Sequence, residues 1–124
     1  MKTLVVDDFS TMRKLIKNVL KQIGISDVVE AENGKQALDL LKKEQIELIV
    51  SDWIMPEMTG IEFLKLCKAD DNLKKIPFIM VTAEAQKGNI MEAIKSGVDN
   101  YIVKPFTPEK LQEAINKAIQ RAKM

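Results

Sequence analysis

At 124 residues, with 46% hydrophobic and 30% charged side chains and a net charge of +1, the chain has the make-up of one globular domain, residues 1–124, with a single core. There is no basic stripe for nucleic acid and no apolar run of membrane-spanning length, so neither is expected as a partner. The start, Met1-Lys2-Thr3-Leu4-Val5-Val6, lacks the apolar stretch of a signal peptide, and the one cysteine, Cys67, excludes an internal disulfide; both fit a cytoplasmic location. Histidine is absent, which removes the commonest general base and metal ligand and leaves chemistry to carboxylates, hydroxyls and lysines.

Short apolar runs alternate with helix-period segments along the whole chain. Leu4 to Val6 reads as a buried strand, and Met12, Leu15, Ile16, Val19, Leu20 and Ile23 then follow the spacing of one helical face, closed by Gly24. Val28 to Ala31 is a second strand, followed by a helix marked by Ala37, Leu38 and Leu41. Leu48 to Val50 is the third strand, and Gly60 to Ala69 the third helix, with Ile61, Leu64 and either Cys67 or Leu66 facing inward. Phe78 to Val81 is the fourth strand. The fourth helix presents Ile90, Met91, Ala93 and Ile94 as a core face and stops at Gly97. Tyr101 to Val103 is the fifth strand. Thr107-Pro108-Glu109 supplies a cap, a first-turn proline and an early acid, a strong helix start, and Leu111, Ala114, Ile115, Ala118 and Ile119 carry that helix onward. Five strand–helix units with near-continuous apolar strands predict an α/β fold, a doubly wound parallel sheet with helices on both faces.

In such a sheet ligands bind beyond the carboxyl ends of the strands. Those ends carry Asp7-Asp8, Ser51-Asp52, Thr82-Ala83 and Lys104-Pro105. Each residue alone has a plain reading as a cap, a turn or a satisfied β-branched side chain. Together, Asp7, Asp8 and Asp52 bring −3 and Lys104 brings +1, leaving −2, which repels itself unless a divalent cation intervenes. An all-oxygen ligand set points to a hard ion, Mg²⁺ before Zn²⁺. Mg²⁺ beside a carboxylate nucleophile is equipment for phosphoryl transfer, with an acyl phosphate as product.

Four segments then closely resemble the response-regulator receiver family: Val5 to Arg13, Ser51 to Pro56, Val81 to Ala85 and Tyr101 to Thr107. The similarity covers essentially the whole chain, and all four segments fall in order at the expected strand ends. The resemblance implies the flavodoxin-like strand order 2-1-3-4-5. It implies Asp52 as the phosphoacceptor, and Asp8, Asp52 and the backbone carbonyl of Ile54 as Mg²⁺ ligands, with Asp7 acting through metal-bound water. Lys104 is expected to hold a phosphoryl oxygen and to precede a cis Pro105. Thr82 is expected to move onto the phosphoryl group while Tyr101 turns inward. The fourth helix, fifth strand and fifth helix, around Ala85, Ile90, Tyr101 and Val103, are the expected partner face.

The protein so implied is a switch rather than a metabolic enzyme, though it assists its own phosphorylation and dephosphorylation. Its expected partners are a phosphohistidine kinase as donor, a phosphatase, and, by likeness to the chemotaxis members of the family, the flagellar motor switch protein; a monomer is expected. The chain stops at Met124 just after the last helix, so no output domain is expected. The likeness in the Phe9 to Arg13 and Tyr101 to Thr107 segments favours a stand-alone protein over the receiver of a larger regulator with another output. One departure stands out: the family's usual asparagine two residues after the aspartate is Ile54 here, which cannot orient an attacking water. Slower self-dephosphorylation than in an Ile54→Asn variant is therefore expected. Ile54 also argues against a haloacid-dehalogenase-type phosphatase, which needs a second aspartate there. Asp7-Asp8-Phe9-Ser10 argues against a flavin-phosphate loop, because its carboxylates repel phosphate.

Overall fold

In the computed structural model, residues 1–53, 55–82 and 87–122 are described. Ten elements alternate along them: β1 (Thr3–Val6), α1 (Ser10–Gln22), β2 (Val28–Ala31), α2 (Gly34–Lys43), β3 (Leu48–Asp52), α3 (Gly60–Ala69), β4 (Phe78–Thr82), α4 (Lys87–Lys95), β5 (Asn100–Val103) and α5 (Pro108–Ala122). The strands form one parallel sheet, as the sequence pattern predicts, in the order β2-β1-β3-β4-β5 that the family resemblance implies.

The three central strands are buried along their whole length, which explains why they read as unbroken apolar runs. Successive strand side chains point to opposite faces, so each strand feeds two cores. Leu4, Val6, Ile49, Phe78 and Met80 pack under α2, α3 and α4. Val5, Leu48, Val50, Ile79 and Val81 pack under α1 and α5. Phe63 of α3 meets Phe78 of β4 with ring centroids 5.5 Å apart and planes tilted by 56°.

Helix boundaries follow local chemistry. Thr59 and Glu62 form a reciprocal capping box that starts α3, a device worth about 1 kcal/mol. The Thr107 hydroxyl accepts from the Lys110 N–H at 3.2 Å, and Pro108 opens α5, as the sequence signals. Gly24 and Gly97 sit at φ +92° and +93°, a left-handed conformation that suits glycine. Each is the hinge of the same six-residue closure: Ile25 N–H donates to Leu20 O at 2.8 Å after α1, and Val98 N–H donates to Ala93 O at 3.1 Å after α4.

Three side-chain assignments differ from the sequence expectation. Leu15 on α1 and both Met91 and Ile94 on α4 are exposed, whereas Ala93 is buried and Ile90 half-buried. Between the alternatives on α3, Cys67 is buried and Leu66 exposed. A helix packed on a twisted sheet covers a narrower stripe than its apolar content suggests, so extra apolar residues fall outside it.

Candidate functional site

The sheet edge at the strand carboxyl ends gathers the predicted residues. Asp7 follows β1, Asp52 ends β3, Thr82 ends β4 and Lys104 follows β5. Register does the positioning: Val6 lies opposite Ser51, Asp52 opposite Val81, and Thr82 opposite Val103. Lys104 N–H donates to Thr82 O at 2.7 Å, tying the β5 exit to the β4 end. The peptide bond from Lys104 to Pro105 is cis.

One oxygen from each of Asp7, Asp8 and Asp52 can be chosen so that all lie within 4.8 Å of one another, with Asp7 and Asp52 buried and Asp8 exposed. Lys104 Nζ reaches in at 3.2 Å from Asp52 Oδ1 and 3.6 Å from Asp7 Oδ2. The Asp7 Oδ1 accepts the Phe9 N–H at 2.9 Å, while its buried Oδ2, beyond the ion pair with Lys104, accepts no hydrogen bond among the described residues. Asp52 Oδ1 accepts from both Lys104 Nζ and the Trp53 N–H, the latter at 2.9 Å. The Trp53 N–H also donates to Val81 O at 2.8 Å.

Burial raises the Asp7 carboxyl above the usual carboxylate range, outweighing the Phe9 bond and Lys104. Burial, then the charge of Asp7, raises Asp52 likewise, against Lys104 and the Trp53 amide. A single lysine therefore leaves this acidic set under-compensated. A buried carboxylate oxygen without a hydrogen bond, in an all-oxygen cluster with excess negative charge, is a fit for a hard divalent cation.

Beyond the carboxylates, Trp53, Met80, Thr82, Ile90, Ala93 and Tyr101 line a cavity of about 10 Å³ between the β4 end and α4. Tyr101 stands at its rim and is 37% exposed. A groove of about 420 Å³ runs along β5 and α5 past Tyr101, Val103, Lys110 and Lys117. Ile54 and Ala85 lie outside the described residues. Sequence reasoning assigned no role to Arg13, whose Nη1 donates to Asp7 O at 2.6 Å. Arg13 closes the first of the four motif segments, but nothing in that segment points to these partners.

The response regulator receiver domain family matches residues 3–116 of the chain. The chain belongs to that family. Among curated relatives, this receiver is 49% identical over 121 residues to the chemotaxis protein CheY of Pseudomonas aeruginosa, covering 98% of both chains. It is 50% identical over 120 residues to a CheY homolog of Campylobacter jejuni, covering 96% of this receiver and 92% of the relative. The chemotaxis response regulator CheY4 of Vibrio cholerae superposes with a TM-score of 0.87 at 33% identity, covering 94% of this receiver and 97% of CheY4. A receiver domain of a Pseudomonas aeruginosa sensor histidine kinase, solved with magnesium coordinated in its active-site cleft, gives a TM-score of 0.85 at 25% identity, with 96% and 97% covered. The receiver is thus of the CheY type, a phospho-accepting regulator of two-component signalling.

Proposed function

We propose that this receiver is a Mg²⁺-dependent chemotaxis switch, a cytoplasmic monomer of one domain, in which Asp52 accepts a phosphoryl group from a partner histidine kinase. The observation that carries this is the buried pair Asp7 and Asp52, bridged by one lysine, with the buried Asp7 Oδ2 held only by that ion pair and accepting no hydrogen bond among the described residues. Asp7, Asp8 and Asp52, with the carbonyl of Ile54 by family likeness, would hold the ion. When bound, Mg²⁺ neutralises charge on the phosphoryl oxygens during transfer.

The protein's own part begins at Asp52. A carboxylate oxygen attacks phosphorus as the nitrogen–phosphorus bond of the donor phosphohistidine breaks. The electron pair leaves with the imidazole, and an acyl phosphate remains on Asp52. The Trp53 amide fixes the rotamer of Asp52, and Lys104 moves from pairing carboxylates to holding a phosphoryl oxygen. The phosphoryl group adds roughly −1.5 to −2 charges at pH 7. That charge draws the Thr82 hydroxyl toward it, and Tyr101 turns inward to fill the space that Thr82 leaves. One local charge event thus biases a two-state element.

The output is binding to the flagellar motor switch protein at the face made by α4, β5 and α5. Ile90, Tyr101 and Val103 belong to this face, with Ala85 expected there. Exposed Met91 and Ile94 on α4, expected in the core, are better understood as part of it. A phosphatase would complete the cycle, and Ile54 would slow the protein's own hydrolysis relative to an asparagine at that position.

Trp53 is the only tryptophan and adjoins Asp52. Its fluorescence should change on adding Mg²⁺ and again on adding beryllofluoride. Beryllofluoride should also raise affinity for a motor switch peptide. An Asp52→Asn variant that answers beryllofluoride as the unaltered protein does would sink the acceptor assignment. Peptide binding indifferent to beryllofluoride would sink the motor output.

A further inference from the structure

Asp7 is fully buried, so the direction of its carboxylate is set by whatever fixes its main chain. The N–H of Asp7 donates to Ala31 O at 3.1 Å. Its Oδ1 accepts from the Phe9 amide, and its carbonyl accepts from Arg13 Nη1 at 2.6 Å. Two of these bonds come from neighbouring main chain. The third comes from a guanidinium on the first turn of α1, only 11% of whose side chain is exposed.

The same guanidinium donates from Nε to Glu30 Oε1 at 3.0 Å, at the end of β2. The other oxygen of Glu30 takes Lys17 Nζ at 3.1 Å. Burial works to raise the Glu30 carboxyl, yet the bonds from Lys17 and Arg13 prevail and hold it below its ordinary range. The pair is ionised at neutral pH, and Arg13 is braced from behind while it grips Asp7.

We propose that Arg13 is a positioning residue for the cation site, its fork between the Asp7 carbonyl and Glu30 fixing the β1–α1 turn so that Asp7 Oδ2 stays presented to the ion. Arg13 touches neither the ion nor the phosphoryl group. The inference rests on reading Asp7, Asp8 and Asp52 as a Mg²⁺ site. A planar guanidinium makes both bonds from one rigid fork of fixed geometry, which the point-like ammonium of a lysine does not reproduce. Residues that orient metal ligands typically alter affinity 10–100-fold when removed.

The test is a Mg²⁺ titration of the full chain followed by Trp53 fluorescence, with thermal midpoints taken in EDTA. Arg13→Gln should weaken Mg²⁺ binding about tenfold or more, Arg13→Lys should recover part of it, and Glu30→Gln should lose less than Arg13→Gln. Lys17→Gln, altering an exposed side chain that among the described residues bonds only Glu30 and does not touch Arg13 or Asp7, should bind as the unaltered protein does. Arg13→Gln with unaltered Mg²⁺ affinity, whatever its thermal midpoint, overturns the proposal. If Arg13→Gln fails to fold, unaltered affinity in both Arg13→Lys and Glu30→Gln overturns it instead. An unaltered protein that binds no Mg²⁺ overturns the reading of the carboxylates themselves, and the proposal with it.

Discussion

Asp7 and Asp52 are held above their ordinary pKa by burial, so the folded chain keeps protons there that the unfolded chain releases. The native state binds more protons between the unfolded and folded values, and stability contributed by these groups falls as pH rises through that interval. It is fully present below the ordinary carboxylate range and lost above the raised values. Without divalent cation, Asp52→Asn should therefore be more resistant to urea than the unaltered protein at pH 7. The difference should shrink as the pH is lowered toward 4, measured as the urea midpoint at each pH in EDTA. A pH-independent difference would assign the effect to packing. With the proposed cation site, the same logic predicts that Mg²⁺ is stabilising, because it would restore the charge balance that Lys104 supplies only in part. Asp7, Asp8, Asp52, Thr82 and Lys104 were legible in sequence because each directly follows or ends a strongly apolar strand. Arg13 was not, since its partners Asp7 and Glu30 lie six and seventeen positions away and only the fold brings the three together.

At the level of elements, the approach of α3 to the end of β3 shapes the site loop. Gly60 N–H donates to Trp53 O at 2.7 Å, closing the loop from residue 53 to residue 60. A Cβ at Gly60 would fall inside contact distance of the Asp52 carbonyl, and would lie 2.9 Å from the Trp53 Cα, both main-chain atoms that cannot swing away. Gly60→Ala should cost roughly 1–3 kcal/mol in stability. It should also slow phosphorylation by a small donor, because Asp52 and Trp53 must shift to admit the methyl group. Thermal melts and donor kinetics check the two parts. Wild-type kinetics alongside a lowered melting point would mean that the loop relaxes away from the carboxylate. Element positions were recoverable from periodicity and from Gly24, Gly97 and Thr107. The inner face of α4 was not, because Met91 and Ile94 are as apolar as a core residue and only packing shows them left outside.

Across the molecule, strand alternation divides the interior into two layers that share one sheet. The layer under α2, α3 and α4 includes Met80, and it abuts the cavity beside Thr82 and Tyr101. The layer under α1 and α5 is built on Val5, Val50, Ile79 and Val81 and contains none of that cavity's lining. Fold class was legible because runs of apolar residues with helix-period segments between them admit few topologies, whereas the strand order came from the family resemblance alone. The division into layers follows from the two-residue period once strand boundaries are known. The capping box at Thr59 and Glu62 was not read from the sequence, and it becomes meaningful only when α3 is placed against the end of β3.

Cys67 lies within the α2–α3–α4 layer, sealed from solvent, with its thiol pushed up to about 12 by burial. Neutral and inaccessible, it cannot meet an alkylating reagent until that layer parts. The chain therefore carries its own stopwatch for breathing of one half of its interior. Labelling by a small maleimide, timed by mass spectrometry, should be far slower than for the urea-unfolded chain. If switching at Asp52 redistributes motion toward the output side, beryllofluoride should change that labelling interval even though the sulfur never touches the phosphoryl site.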